Sequence, residues 1–373
     1  MMQSVFYIIP TAGIGGAEKR FIELCCYLWK NEPSFNFNLI ISEQLFAAAS
    51  SNKKLNEQLL FNQHKIKVYS ISFNESVISF QQKLYSFVCE HTKSTDILHF
   101  VLSFPTYIFP LKHSNTVYSL TESSLDNVNI KGRLLYLLNV MRSKYADILD
   151  PVVHQKLCKY FFYKKKRILL TPGSFTDINL FKPTDDLKKE NWFVFLGRFF
   201  FVKQVVELLK QIPAICEEID AAGYSGYKFI FIGYGQQAQE MQDILRSEIY
   251  KDLPIEIKMS NEPEAILAKS KVFFSLQLHN NYPSKSLLEG LAAGNIALVT
   301  DVGTTRIIAK PEFSYYVPEH FSATDIATQL ISILSLSEDS LQMKLRSARS
   351  FIENNFTIQA SAKYYTGLYR KFQ

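Results

Sequence analysis

Short runs of branched and aromatic residues recur along the chain at 5–9, 36–41, 66–71, 97–101, 117–120 and 168–171, and again at 193–196, 228–232, 255–259, 272–276 and 297–300. Most lack the apolar–polar alternation of a half-exposed strand, so they read as strands covered on both faces. The stretches between them are mostly long enough for helices. Strand and helix in alternation predict a parallel, doubly wound α/β sheet, and the pattern running twice predicts two of them. Between the two series lies the polar, charged segment 182–191, which reads as a linker. It sets an N-terminal domain at 1–184 and a second domain at 185–356. From 357 onward Ala360, Tyr364, Leu368 and Phe372 share one helical stripe, so a terminal helix over 357–373 should pack on a neighbouring surface.

Composition supplies the class. The 373 residues are 47% hydrophobic, with 41 Lys plus Arg against 35 Asp plus Glu, a net charge of +6. This is a globular chain with enough length for two cores, and intrinsic disorder is excluded. Cys25, Cys26, Cys89, Cys158 and Cys216 form no Cys-x-x-Cys pair and no metal-ligand spacing, which fits a reducing cytoplasm and no metal site. The first residues lack the basic lead of a secretory signal and read as a first strand. The longest apolar stretch, 98–111, is about 14 residues with two prolines, short of the roughly 20 that span a bilayer. A mildly basic surface favours phosphates or anionic lipid without choosing between them.

In open parallel sheets ligands bind beyond the carboxyl ends of the strands, so the loops there carry the candidate chemistry. The first, 11–19, brings Gly15 and Gly16 ahead of a helix, where backbone can approach an anion; a tight turn is the alternative. The second holds Gly197, Arg198 and Lys203. A forked guanidinium and a point charge can meet one diphosphate, or both can be solvated cations. The third is the Gly233-Tyr234-Gly235 turn. The fourth, 277–294, runs from a strand into a helix capped by Ser284 or Ser286 and ended by Gly294. Glu289 lies within that helix among small and apolar neighbours, where a carboxylate needs donors, and a ribose diol would supply two.

Together these residues resemble a known family. Gly15-Gly16-Ala17-Glu18, Asp96-Ile97-Leu98-His99, the 171–177 stretch with Phe181-Lys182-Pro183, Gly197-Arg198 with Lys203, Gly233-Tyr234-Gly235, and the run from Asn281 to Glu289 and on to Gly303 make the chain similar, over nearly its whole length, to family 4 retaining glycosyltransferases. The resemblance implies the GT-B fold: two Rossmann-like domains facing a cleft, with a C-terminal helix crossing back to the first. It implies a nucleotide-sugar donor, UDP- or GDP-linked, and no separate cofactor. Arg198 and Lys203 would clamp the donor diphosphate and Glu289 would accept the ribose hydroxyls. Gly15 and Gly16 would face the diphosphate or the transferring sugar. Backbone around Tyr282, Pro283, Ser284, Lys285, Ser286 and Leu287 would line donor sugar and phosphate. No Asp-x-Asp triplet is present, consistent with metal-independent hexosyl transfer, and retention in this family is thought to proceed by same-face attack without an enzyme nucleophile.

Two departures stand out. The family usually has a glutamate eight positions before Glu289; here Asn281 stands there with Asn280 beside it. An amide can hydrogen-bond a sugar hydroxyl but brings no charge. A histidine often found after the fifth strand of the first domain is replaced by Thr121 or Glu122. His99 matches another frequent family position at the mouth of the first sheet, and His279 lies beside the asparagines.

The acceptor side is nearly silent. Segment 156–167 combines six cations with aromatics, which reads either as a solvated basic helix end or as a contact with anionic membrane. Nucleic-acid binding would use the same charge, but no nucleic-acid motif accompanies it. The resulting expectation is a cytoplasmic enzyme, or one at the inner face of the membrane, that transfers a hexose to a glycan or lipid-linked acceptor in cell-surface polysaccharide synthesis. The alternatives are a catalytically impaired nucleotide-sugar-binding module and a GT-B nucleotide-sugar epimerase.

Overall fold

The computed structural model describes residues 2–51, 53–70, 76–102, 112–121, 129–184, 188–260 and 262–373. The chain divides into two compact units. Unit 1 comprises Met1–Ser174 with Ile358–Gln373, and unit 2 comprises Phe175–Thr357.

Unit 1 is built on seven parallel strands: β1 (Ser4–Ile9), β2 (Asn36–Ser42), β3 (Ile66–Tyr69), β4 (Ile97–Val101), β5 (Thr116–Leu120), β6 (Tyr145–Ile148) and β7 (Ile168–Leu170). Their order is β3-β2-β1-β4-β5-β6-β7. Every residue of β4 and β5 is buried, as expected of central parallel strands covered on both faces. The short β6 was absent from the sequence expectation. It has only four residues and one of them is Asp147, so no apolar run marks it.

The terminal helix Ile358–Arg370 belongs to unit 1. Its buried face is Ser361, Ala362, Tyr365, Thr366, Leu368 and Tyr369, so the stripe is turned from the expected one of 360, 364, 368 and 372. The reason is polar. Tyr365 and Tyr369 carry their hydroxyls to buried acceptors inside the unit, described below, and periodicity of apolar residues cannot register that.

Unit 2 has six parallel strands: β8 (Glu190–Arg198), β9 (Lys228–Tyr234), β10 (Ile255–Lys258), β11 (Ser270–Ser275), β12 (Ile296–Thr300) and β13 (Ser314–Val317), in the order β10-β9-β8-β11-β12-β13. Phe193 and Phe195 of β8, with Phe229 and Phe231 of β9, sit in one buried layer against the helices Val205–Ala221 and Ala323–Leu334. Val194, Ile230 and Ile232 face the opposite layer, against the helix Lys285–Ala292. Alternation within a strand therefore feeds two cores at once.

The units meet in sequence at Ser174 and Phe175. Phe181 is buried in that unit's core. Lys189, in the polar stretch, turns its ammonium onto the carbonyls of Ala268 (2.8 Å) and Ala293 (2.7 Å). These are the C-terminal ends of two helices, where a cation is favoured. Burial nevertheless holds that ammonium down to about 7.

Candidate active site

In unit 2 the chain moves from β8 outward to β9 on one side and from β11 outward to β12 on the other, so the neighbours β8 and β11 mark a switch point. Loops that leave such a pair on the carboxyl side diverge and open a crevice for a ligand. Backbone hydrogen bonds hold three of those loops together. Phe199 N donates to Tyr234 O (2.7 Å), Gln237 N to Phe199 O (3.1 Å), and Leu278 N to Val202 O (3.1 Å). The glycines permit this approach. Gly197 and Gly233 are paired across β8 and β9, and a Cβ on Gly233 would overlap the carbonyl oxygen of Gly197. A Cβ on Gly235 would lie 2.5 Å from the carbonyl oxygen of Phe199.

Arg198 ends β8 and is exposed, its guanidinium 5.0 Å from the centroid of the Phe200 ring. Lys203 ends the turn that follows. Burial first, and the Arg198 charge second, push its ammonium down to about 8. Neither cation pairs with a carboxylate among the described residues. Two cations held near each other with no anion between them favour an anionic ligand. Of the neighbouring phenylalanines, Phe199 is buried in the core and Phe201 is exposed.

The fourth loop is fixed at its root and its middle. Gln277 N donates to Thr300 Oγ1 (2.7 Å), which donates back to Gln277 O (2.8 Å). Asn280 Oδ1 accepts from Thr304 N (3.0 Å) and from its hydroxyl (2.9 Å), while Gly303 leaves room for the Asn280 side chain. Tyr282 is buried in the unit's core, His279 is exposed, and Asn281 is half-buried. Ser284 takes the N-cap position of the helix Lys285–Ala292, yet its hydroxyl makes no capping bond and lies 3.4 Å from Ser286 Oγ. No side-chain cap therefore meets the first-turn amides, and these are the groups that receive anions at helix starts. Lys285 Nζ lies 5.7 Å from the Phe175 ring centroid. Leu287 faces the core and Glu289 is buried, 8% exposed. Gly294, at φ +71°, closes the helix.

Unit 2 thus gathers Arg198, Lys203, Gly197, Gly233, Gly235 and residues 279–289 on one sheet edge. Gly15, Gly16, His99 and Thr121 belong to unit 1. Gly15 donates its amide to Glu18 Oε2 (2.9 Å) at the start of the helix Gly16–Asn31, and Thr121 directly follows β5. Glu122 lies outside the described residues.

His99 sits within β4 and is fully buried. Its Nδ1 is 2.6 Å from Tyr369 Oη and its Nε2 is 2.7 Å from Ser119 Oγ. Asp147 accepts from Ser119 (2.8 Å), Tyr364 (2.5 Å) and Tyr365 (2.8 Å). Arg20 donates to Thr171 Oγ1 (3.2 Å) and Tyr365 Oη (3.0 Å). This network fastens the terminal helix to the sheet. Burial pushes the His99 imidazole down to about 3, with help from Arg20, and raises the Asp147 carboxyl. Sequence reasoning missed Arg20 and Asp147. The only local signal was Asp147 within the short run Tyr145–Ile148; Arg20, among Glu18, Lys19 and Glu23, carried none.

Residues 177–350, all within unit 2, match the sequence profile of the family described as glycosyl transferases group 1. Solved structures share the fold of the whole chain. A glycosyltransferase from Rickettsia africae is 15% identical, covering 99% of this chain and 98% of that one, with a TM-score of 0.72. The Anabaena protein Alr3699/HepE in complex with UDP is 10% identical, with 99% and 100% covered and a TM-score of 0.72. The pneumococcal O-GlcNAc transferase GtfA in complex with UDP and GlcNAc is 11% identical, with 100% and 99% covered and a TM-score of 0.72. No curated protein matches the sequence. The fold is therefore the two-sheet architecture of GT-B glycosyltransferases, and its second unit carries the group 1 region.

Proposed function

We propose that the chain is a retaining glycosyltransferase that takes a hexose from a nucleoside-diphosphate sugar. Its acceptor is a glycan or lipid-linked saccharide, and its role lies in cell-surface polysaccharide synthesis. The observation that carries this reading is the Arg198–Lys203 pair, without a carboxylate partner among the described residues, on the sheet edge that also holds the uncapped start of the helix bearing Glu289. Breaking the anomeric bond places negative charge on the departing diphosphate and positive charge on the sugar ring. Fixed cations at the diphosphate stabilise that separation, and they need no rearrangement as it develops. Glu289 accepts the two ribose hydroxyls, and backbone amides from Ser284 to Leu287 meet donor oxygens.

Two of the solved relatives of this fold were captured with UDP, which supports uridine as the first base to try. The test is incubation with UDP-hexoses and candidate acceptors, in the presence of a chelator, with the anomeric configuration of the product read by NMR. A product of retained configuration is expected. An inverted product, or activity abolished by the chelator, would overturn the mechanism.

A second reading is a donor-binding module without turnover. Asn281 in place of a carboxylate favours it, because an amide places no negative charge beside a developing oxocarbenium ion. Binding of UDP-hexose with no transfer or hydrolysis of any kind would support that reading.

A further inference from the structure

In unit 1 the helix Ile130–Arg142 buries Asn139 and Val140 and packs Tyr136 and Leu137 on the core. Its other side is apolar too. Ile130, Leu134, Leu138 and Met141 stand at helical spacing on one face and are between 39% and 77% exposed. Four large aliphatic side chains in a row on an open face are far from the scattered exposed residues of an ordinary surface.

The stripe continues into a second element. Lys164, in the turn Phe162–Arg167, is buried and donates to the carbonyls of Val140, Met141 (3.0 Å) and Ser143. It caps the C-terminal end of the helix and locks the turn against it. One groove is consequently lined by both Met141 and Phe162. Phe162 and Tyr163 stand outward, 78% and 67% exposed, with ring centroids 5.9 Å apart. Segments 129–144 and 151–167 contain ten Lys and Arg and no Asp or Glu.

We propose that this surface, the Ile130–Met141 stripe continued by Phe162 and Tyr163 and edged with cations, seats unit 1 on an anionic lipid bilayer. Aliphatic and aromatic side chains enter the boundary between headgroups and acyl chains, and lysines and arginines beside them meet lipid phosphates. A polyanionic partner would satisfy the charge but offers nothing to the aliphatic stripe. A second copy meeting the same face would bring like charges together. No helix of the described residues is long and apolar enough to cross the membrane, so the contact is peripheral. That the surface delivers the chain to a lipid-linked acceptor rests on the transferase reading; the surface itself does not.

The test is co-sedimentation of the chain with vesicles of phosphatidylcholine alone or mixed equally with phosphatidylglycerol, with UDP affinity measured on the same proteins. Binding to the mixed vesicles is expected, at least tenfold weaker to phosphatidylcholine alone and weakened by salt. Leu134→Glu with Leu138→Glu, and separately Lys165→Glu with Lys166→Glu, should each lower vesicle binding at least tenfold while UDP affinity stays within twofold. Met259→Glu, on an exposed residue of unit 2, should leave both unchanged. Equal binding to both vesicles, no binding to either, or binding indifferent to both double variants overturns the assignment. So does association of the chain with itself that is lost in the same variants without any vesicle binding. Loss of UDP binding alongside selective vesicle binding would remove the transferase reading and leave this surface standing.

Discussion

The amide of Leu278 donates to the carbonyl of Val202 at 3.1 Å, joining the loop that holds Arg198 and Lys203 to the loop that leads into the Glu289 helix. The backbone that carries the two cations and the backbone that leads to the helix start are thus tied to each other. Such preorganisation is what electrostatic stabilisation of a leaving group requires.

Removing either cation should weaken binding of a nucleoside diphosphate without unfolding the protein. For Arg198→Ala and Lys203→Ala we expect losses of roughly 1.5–3 kcal/mol each, the usual worth of a hydrogen bond to a charged group. Calorimetric titration with UDP measures the loss, and unchanged thermal unfolding of the free variants confirms that the fold survives.

Diphosphate binding should also depend on pH in a particular window. Lys203 loses its proton near pH 8 in the free protein, and an anion favours the protonated form, so binding draws a proton in. Affinity is therefore flat where Lys203 is already charged and falls as pH rises through 8, well above the phosphate's own titration near 6. Lys203→Arg should bind with little change across the same range, since a guanidinium stays charged. A titration series from pH 7 to 9.5 in buffers of different ionisation enthalpy tests both the slope and the proton uptake.

Gly233→Ala should damage the site through the fold. The new methyl would occupy the space of the Gly197 carbonyl across two paired strands, and overpacking of this kind costs about 1–3 kcal/mol. Urea unfolding should show the loss of stability, and UDP binding should fall with it because Arg198 is the next residue after Gly197.

Acid should loosen the seat of the terminal helix. His99 is neutral in the native protein down to about pH 3, whereas in the unfolded chain it takes a proton near 6.5. The unfolded state binds more protons between those values, so stability is full above about 6.5 and declines as pH falls, at up to about 1.4 kcal/mol per unit. Asp147, raised by burial, acts in the opposite sense closer to its own range. Denaturant midpoints compared at pH 7 and about 5 should show the decline, and His99→Asn should flatten it.

Most of the sheet architecture was legible because strands buried on both faces are largely apolar, as β1, β4 and β12 are, and eleven runs rich in branched and aromatic residues mark strands. Strands β6 and β13 escaped for the converse reason. One carries Asp147 and the other is the short run Ser-Tyr-Tyr-Val, so neither shows an apolar run of strand length. The loop residues Arg198, Lys203 and Glu289 could be picked out because they follow strand ends, where a parallel sheet opens. The buried network could not. Nothing local says that Arg20, His99 and Asp147 converge on three tyrosines more than 200 residues away, and without that knowledge the stripe of the terminal helix reads one position off. Lys164 and Lys189 show the same limit: each looks like solvated charge in its basic or polar segment, and each is spent on helix-end carbonyls.

The most direct test of the account is calorimetric titration of the chain with UDP, GDP, ADP and CMP, with and without a chelator, beside Glu289→Ala. The account predicts binding of one nucleoside diphosphate, indifferent to the chelator and lost or strongly weakened in the variant. Binding of none, or binding that Glu289→Ala leaves intact, would contradict the assignment of this sheet edge as a donor site.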